Sequence, residues 1–148
     1  MASKYSALLG PKEGASVLLQ YLAEAAYLWS YFGKPDEAKT IFEGLMLLAP
    51  ADPVAPLGLA EIYLSQGKFR EADKAAETAS RMENADRRTV AFAYKLRGRS
   101  LMQLNKAREA GKFWQRAVEI DKDGPEGKSA ATLLQMAREM GLVPTEAP

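Results

Sequence analysis

The side chains best equipped for chemistry in this chain are basic. Arg87, Arg88, Lys95, Arg97, Arg99, Lys106, Arg108, Lys112 and Arg116 crowd one stretch. Residues 1–66 carry 4 bases and 7 acids, whereas residues 67–148 carry 16 bases and 12 acids. Such a cluster can hold carboxylates or phosphates, so it suits an acidic partner segment or, less well, RNA. A nucleic-acid reader is expected to show a larger basic excess with aromatics interleaved on one face. Solvated helix faces account for most of these charges without any ligand. Two acids, Asp121 and Asp123, stand just before Gly124-Pro125. The rest of a calcium loop is missing, so capping of a helix is their expected role.

Nothing else in the chain supports catalysis. There is no His and no Cys, which removes the commonest general base, the commonest metal ligand, thiol nucleophiles and disulfides. No Gly-rich phosphate loop, paired-carboxylate motif or nucleophile constellation is present. The expectation is a non-enzymatic protein with no cofactor and no catalytic or metal site. A net charge of +1 over 148 residues gives no general attraction to nucleic acid or membrane, while an apolar fraction of 47% is enough for a core. Apolar runs such as Leu45-Met46-Leu47-Leu48-Ala49 are too short to span a bilayer. Residues 1–10 lack the apolar core of a signal peptide. A cytoplasmic location without membrane insertion is therefore expected.

The elements that position these side chains are helices. Gly33-Lys34-Pro35-Asp36-Glu37-Ala38 is echoed 34 residues later by Gly67-Lys68-Phe69-Arg70-Glu71-Ala72. A Gly, a short polar turn and an Ala suit the junction of two antiparallel helices: the Gly ends one helix and the Ala admits the other closely. A third copy, Asn105-Lys106-Ala107-Arg108-Glu109-Ala110, comes four residues late, and Asn tolerates the same left-handed conformation. Apolar residues recur at helical spacing between these turns. They include Val17, Leu18, Tyr21, Leu22, Ala25, Ala26, Leu28, Trp29 and Phe32 before the first turn. The chain reads as all-α, with a leader at 1–10, one domain at 11–141 and a tail at 142–148.

At this period the chain resembles a tetratricopeptide repeat array. Leu22, Ala26, Trp29, Gly33, Ala38, Phe42 and Pro50 match the family pattern in a first repeat at about 19–52. Leu59, Ala60, Tyr63, Gly67, Ala72 and Ala79 match in a second at 53–86, where Ala76 stands in place of an aromatic. Gly98, Leu101, Asn105, Ala110, Trp114 and Ala117 match in a third at 91–124, after an offset of four residues around 84–90. A last helix at 126–141 is similar to the capping helix of such arrays. The resemblance implies three antiparallel hairpins plus a cap in a short right-handed superhelix. It also implies packing roles for Trp29, Phe42, Tyr63 and Trp114.

Family geometry further implies a concave groove lined by the first helix of each repeat. Its inward positions are Gln20, Ala23, Tyr27 and Tyr31 in the first repeat, and Val54, Leu57, Glu61 and Leu64 in the second. In the third they are Phe92, Lys95, Arg99 and Met102. This mixed lining suits a peptide with apolar anchors. Family members that clamp the carboxylate of heat-shock chaperones use Lys and Asn in the first repeat, Asn in the second, and Lys and Arg in the third, where this chain has Ala23, Tyr27, Glu61, Lys95 and Arg99. Only the last two fit, and Glu61 repels a carboxylate, so that clamp is rejected. The chain also resembles the class II chaperones of type III secretion, through its three repeats, Phe42-Glu43-Gly44-Leu45-Met46-Leu47-Leu48 and Leu57-Gly58-Leu59-Ala60. That resemblance implies a secreted translocator as client. A general scaffold and a homodimer are the alternatives.

Overall fold

The computed structural model describes residues 15–145. Among them are seven α-helices and no strand: α1 (Ala15–Tyr31), α2 (Pro35–Leu48), α3 (Val54–Ser65), α4 (Phe69–Ser80), α5 (Arg87–Gln103), α6 (Ala107–Ile120) and α7 (Pro125–Glu139). The expected leader at 1–10 and the tail residues 146–148 lie outside the described residues.

Local chemistry sets the breaks between helices. Gly33, Gly67 and Gly141 have positive φ, and Asn105 joins them at 61°. After each, a backbone N–H reaches back to a carbonyl five residues earlier: Lys34 to Trp29 at 2.9 Å, Lys68 to Tyr63 at 2.8 Å, Lys106 to Leu101 at 2.9 Å and Leu142 to Ala137 at 2.9 Å. All four are the same helix-ending motif, in which left-handed backbone satisfies carbonyls that a helix end would orphan. Starts are equally explicit. Pro35 opens α2 with Asp36 and Glu37 in its first turn, favourable at the positive helix end. Asp86 caps α5 by accepting from the Thr89 N–H at 2.8 Å, so the helix begins at Arg87.

Consecutive helices pack as hairpins. The first helices of the hairpins also touch in succession, α1 on α3, α3 on α5 and α5 on α7. The second helices α2, α4 and α6 have at most marginal contact with one another. The array therefore closes on the α1/α3/α5/α7 side and splays on the other. Helix α3 is enclosed from both sides over its first two turns, where Val54 through Ala60 are all buried, and only its last residues reach solvent. Two close approaches fix the crossings. Any Cβ on Gly58 would enter the Phe42 ring, and any Cβ on Gly98 would enter the Trp114 indole. Trp114 also donates its Nε1–H to the Lys95 carbonyl at 3.2 Å. The four-residue offset is taken up largely inside α5, which has 17 residues against 12 in α3.

Two expectations about packing need correction. Trp29 is not a core plug: it is 41% exposed, with the Lys34 ammonium 5.0 Å from its ring. The helical stripe read along α1 is too wide for the same reason. Leu18, Tyr21, Leu28 and Phe32 are exposed, and only Ala23 and Ala26 are fully covered.

A cleft between the inner helices

Four of the residues expected to line a groove along the inner helices border one open cleft. A cleft of about 530 Å³ opens between α3 and α5 and extends to α7. Glu61 and Leu64 line it from α3, Arg99 and Met102 from α5, and Leu133 from α7, with Phe69 at one edge. Glu61 and Arg99 are 38 residues apart, as are Leu64 and Met102. The same two positions of adjacent hairpins thus supply the two charged and two of the apolar groups. Arg99 is exposed and has no ion-pair partner among the described residues.

The other expected groove residues divide between core and surface. Ala23, Val54, Leu57 and Phe92 are buried and present no side chain to a ligand, so their assignment to the groove is corrected. Ala23 and Val54 belong to the cluster around Phe42 and Ile62. Leu57 and Phe92 pack with Ala60, Ala76 and Leu96. The reason lies at Ala76, the position held by Phe42 and Trp114 in the neighbouring hairpins. Ala76 and Phe92 share one buried cluster, so the small residue at that position goes with Phe92 from α5 in the core. Tyr31 lies at the opposite extreme, 84% exposed and edge-on to Phe32. Gln20 is half-buried beside Glu24.

Tyr27 borders the core rather than the open cleft. Its ring meets Phe42 edge-on at 4.8 Å, and its hydroxyl oxygen is buried. Burial, and secondarily the Glu61 charge, hold its pKa well above the usual phenol value. Lys95 pairs with Glu126 of α7 and lies 4.8 Å from the Phe92 ring. That leaves Glu61, Leu64, Arg99 and Met102 as the expected residues that the fold brings together in one open site. Leu133 was missed because α7 was read as a cap. Its signal was available: α7 continues the apolar period and opens with a proline as α2 does.

The basic stretch is largely structural at its start. Arg97 donates to Asp73 at 2.8 Å and Glu77 at 3.2 Å, and stacks 4.2 Å over Phe113. Arg87 donates to the Ile120 carbonyl at 2.9 Å, placing positive charge at the C-terminus of α6. Asp121 accepts from the Glu126 and Gly127 N–H groups at 3.0 and 3.2 Å, so it caps α7. No described helix is long and apolar enough to cross a membrane.

The tetratricopeptide repeat family model matches residues 32–96. No curated protein matches the chain. Among solved structures, the first tetratricopeptide domain of Spaghetti (RPAP3) bound to the HSP90 peptide SRMEEVD is 27% identical, with a TM-score of 0.69 over 82% of this chain and 91% of that one. The Yersinia enterocolitica type III secretion translocator chaperone SycD is 21% identical, with a TM-score of 0.73 over 83% and 93%. A type III secretion complex from Aeromonas hydrophila is 22% identical, with a TM-score of 0.69 over 84% and 83%.

Proposed function

The chain has a tetratricopeptide-repeat fold, and we propose that it binds an extended peptide of a partner protein in the cleft between α3 and α5. The observation that carries this reading is the paired lining. Glu61 with Leu64, and Arg99 with Met102, offer opposite charges and long apolar side chains from equivalent positions to one open space. Leu64, Met102 and Leu133 take apolar anchors, and burial of such anchors supplies most of the affinity. Glu61 and Arg99 set direction and select against wrong partners through their charges. The Spaghetti structure, with its bound HSP90 peptide, supports peptide binding as a use of this fold. The carboxylate clamp remains excluded as the mode, since Ala23 is buried, Lys95 is engaged by Glu126, and Glu61 is acidic.

The narrower form of this reading is a chaperone of type III secretion that keeps a membrane-active client soluble in the cytoplasm before export. The folds of SycD and of the Aeromonas complex support it, together with the residues that resemble class II chaperones. Leu64→Asp combined with Met102→Asp is expected to abolish capture of a translocator-type client while the melting curve stays within a few degrees of wild type. Full capture by that variant removes the cleft from the account. Failure of the wild type to capture any membrane-active client leaves a general scaffold.

A second reading, self-association, is favoured by one observation. The first hairpin exposes six large apolar side chains, Leu18, Tyr21, Leu28, Phe32, Leu47 and Leu48, which an interface could cover. Light scattering at high protein concentration is expected to show a dimer, and a monomer throughout contradicts it.

A further inference from the structure

Three further bases without an ion pair line up outside the inner cleft. On the outer surface of α6, Arg108, Lys112 and Arg116 are exposed at four-residue intervals, one stripe of the helix. They line a second cleft of about 640 Å³ that Arg138 of α7 also borders. Glu119 is the one acid in its lining, and its carboxylate accepts from Gln115 Nε2 at 3.2 Å. Arg108 and Lys112 have no ion-pair partner among the described residues, and Arg116 meets only the Phe113 ring, at 5.8 Å. The stripe is therefore net positive.

The opposite wall is built by the chain beyond α7. Gly141, with φ of 73°, turns the backbone, and Leu142 N–H closes the turn on the Ala137 carbonyl at 2.9 Å. Val143 then seats on Gly111, where any Cβ would strike its methyl groups. Leu134 and Val143 form an apolar floor, each less than a tenth exposed. The cleft is on the face of α6 opposite Trp114, Ala110 and Ala117, which are buried. It shares no residue with the inner cleft.

We propose that this outer cleft is a second docking site, for an acidic extended segment of a partner protein. Charge complementarity chooses the occupant, and the spacing supports it. Four residues of helix advance about 6 Å, close to the distance of about 6.6 Å between alternate side chains of an extended chain. Carboxylates at alternate positions of the segment meet Arg108, Lys112 and Arg116 in turn, and the side chains between them turn to Val143 and Pro144. A nucleic acid fits less well, because no aromatic ring lines the cleft for a base to stack on. The proposal is independent of the inner cleft.

The test uses the full chain and a fluorescein-labelled peptide of alternating Glu and Val, read by anisotropy. Wild type is expected to bind it with an affinity that falls steeply with salt. The combined Arg108→Glu, Lys112→Glu and Arg116→Glu variant is expected to lose about tenfold or more, and Leu64→Asp with Met102→Asp to lose nothing. Should charge reversal disturb folding, Arg108→Gln with Lys112→Gln carries the same prediction in weaker form at an unchanged melting temperature. No binding by wild type overturns the proposal, and so does equal binding by the folded charge variants. Displacement of the peptide by oligouridine at lower concentration than by an unlabelled acidic peptide overturns it in favour of RNA.

Discussion

The first and third hairpins are built on one plan and are held in different ways. In the α5/α6 hairpin, Trp114 is sunk against Gly98, and ion pairs run outward to both neighbours, Arg97 to α4 and Lys95 to α7. In the α1/α2 hairpin, Trp29 is partly exposed, and Leu47 at 85% and Phe32 at 71% exposure stand in solvent. The one salt bridge described within it, Lys39 to Glu43, is a local surface pair along α2. The third hairpin has a neighbour on each side to cover its apolar residues and pair its charges. The first has a described neighbour on one side only. A position in the repeat therefore does not fix the energetic role of its residue; the number of helices around it does.

The largest test of that contrast is truncation of the two tryptophans. Trp114→Ala is expected to cost about 3–5 kcal/mol in denaturant unfolding, against about 1 kcal/mol for Trp29→Ala. Equal losses erase the comparison. Next comes Arg97→Ala, which leaves Asp73 and Glu77 partly buried without their shared cation. A cost of about 1–3 kcal/mol is expected, where Lys39→Ala costs less than about 0.5 kcal/mol. Gly58→Ala probes the seam where the first hairpin joins the rest. Its Cβ enters the Phe42 ring, and about 1–3 kcal/mol of strain is expected.

A smaller effect separates the hairpins by pH. The Tyr27 phenol is held above its ordinary pKa, so the unfolded chain loses this proton first. Its contribution to stability is whole below about pH 10 and declines as pH rises from there through the folded value. Tyr27→Phe is expected to lessen the alkaline loss of stability, and an unchanged alkaline limb argues that the hydroxyl is not buried. The smallest effect is at the outer face of the first hairpin. Leu47→Lys is expected to shift unfolding by less than about 0.5 kcal/mol while lowering any dimer fraction seen by light scattering.

Much of this architecture is legible in the sequence because it depends on local rules. Glycine or asparagine at a helix end, proline at a helix start and a 34-residue echo specify the turns, and the Asn105 turn is read correctly from one residue type. The site is legible only by halves. Periodicity tells which side chains share a stripe, but burial of that stripe depends on what a neighbouring hairpin leaves empty. Ala76 makes Phe92 core rather than groove, a coupling across 16 residues that no single-helix pattern contains. Trp29 matches a family packing position, yet it is 41% exposed, a difference that the spacing along α1 does not contain. Charges behave likewise. Lys95 and Arg97 are indistinguishable from Arg108 and Lys112 in the sequence, and only the placement of Glu126 and Asp73 separates paired from free.

Photo-crosslinking tests the central claim most directly, that a partner peptide lies along α3 and α5 and not on the apolar face of the first hairpin. With benzoylphenylalanine introduced at Met102 in one variant and at Leu28 in another, each irradiated with a translocator-type client, the account predicts a covalent adduct from position 102 and none from position 28. An adduct from position 28 alone would contradict it and move the client to the outer face of the first hairpin.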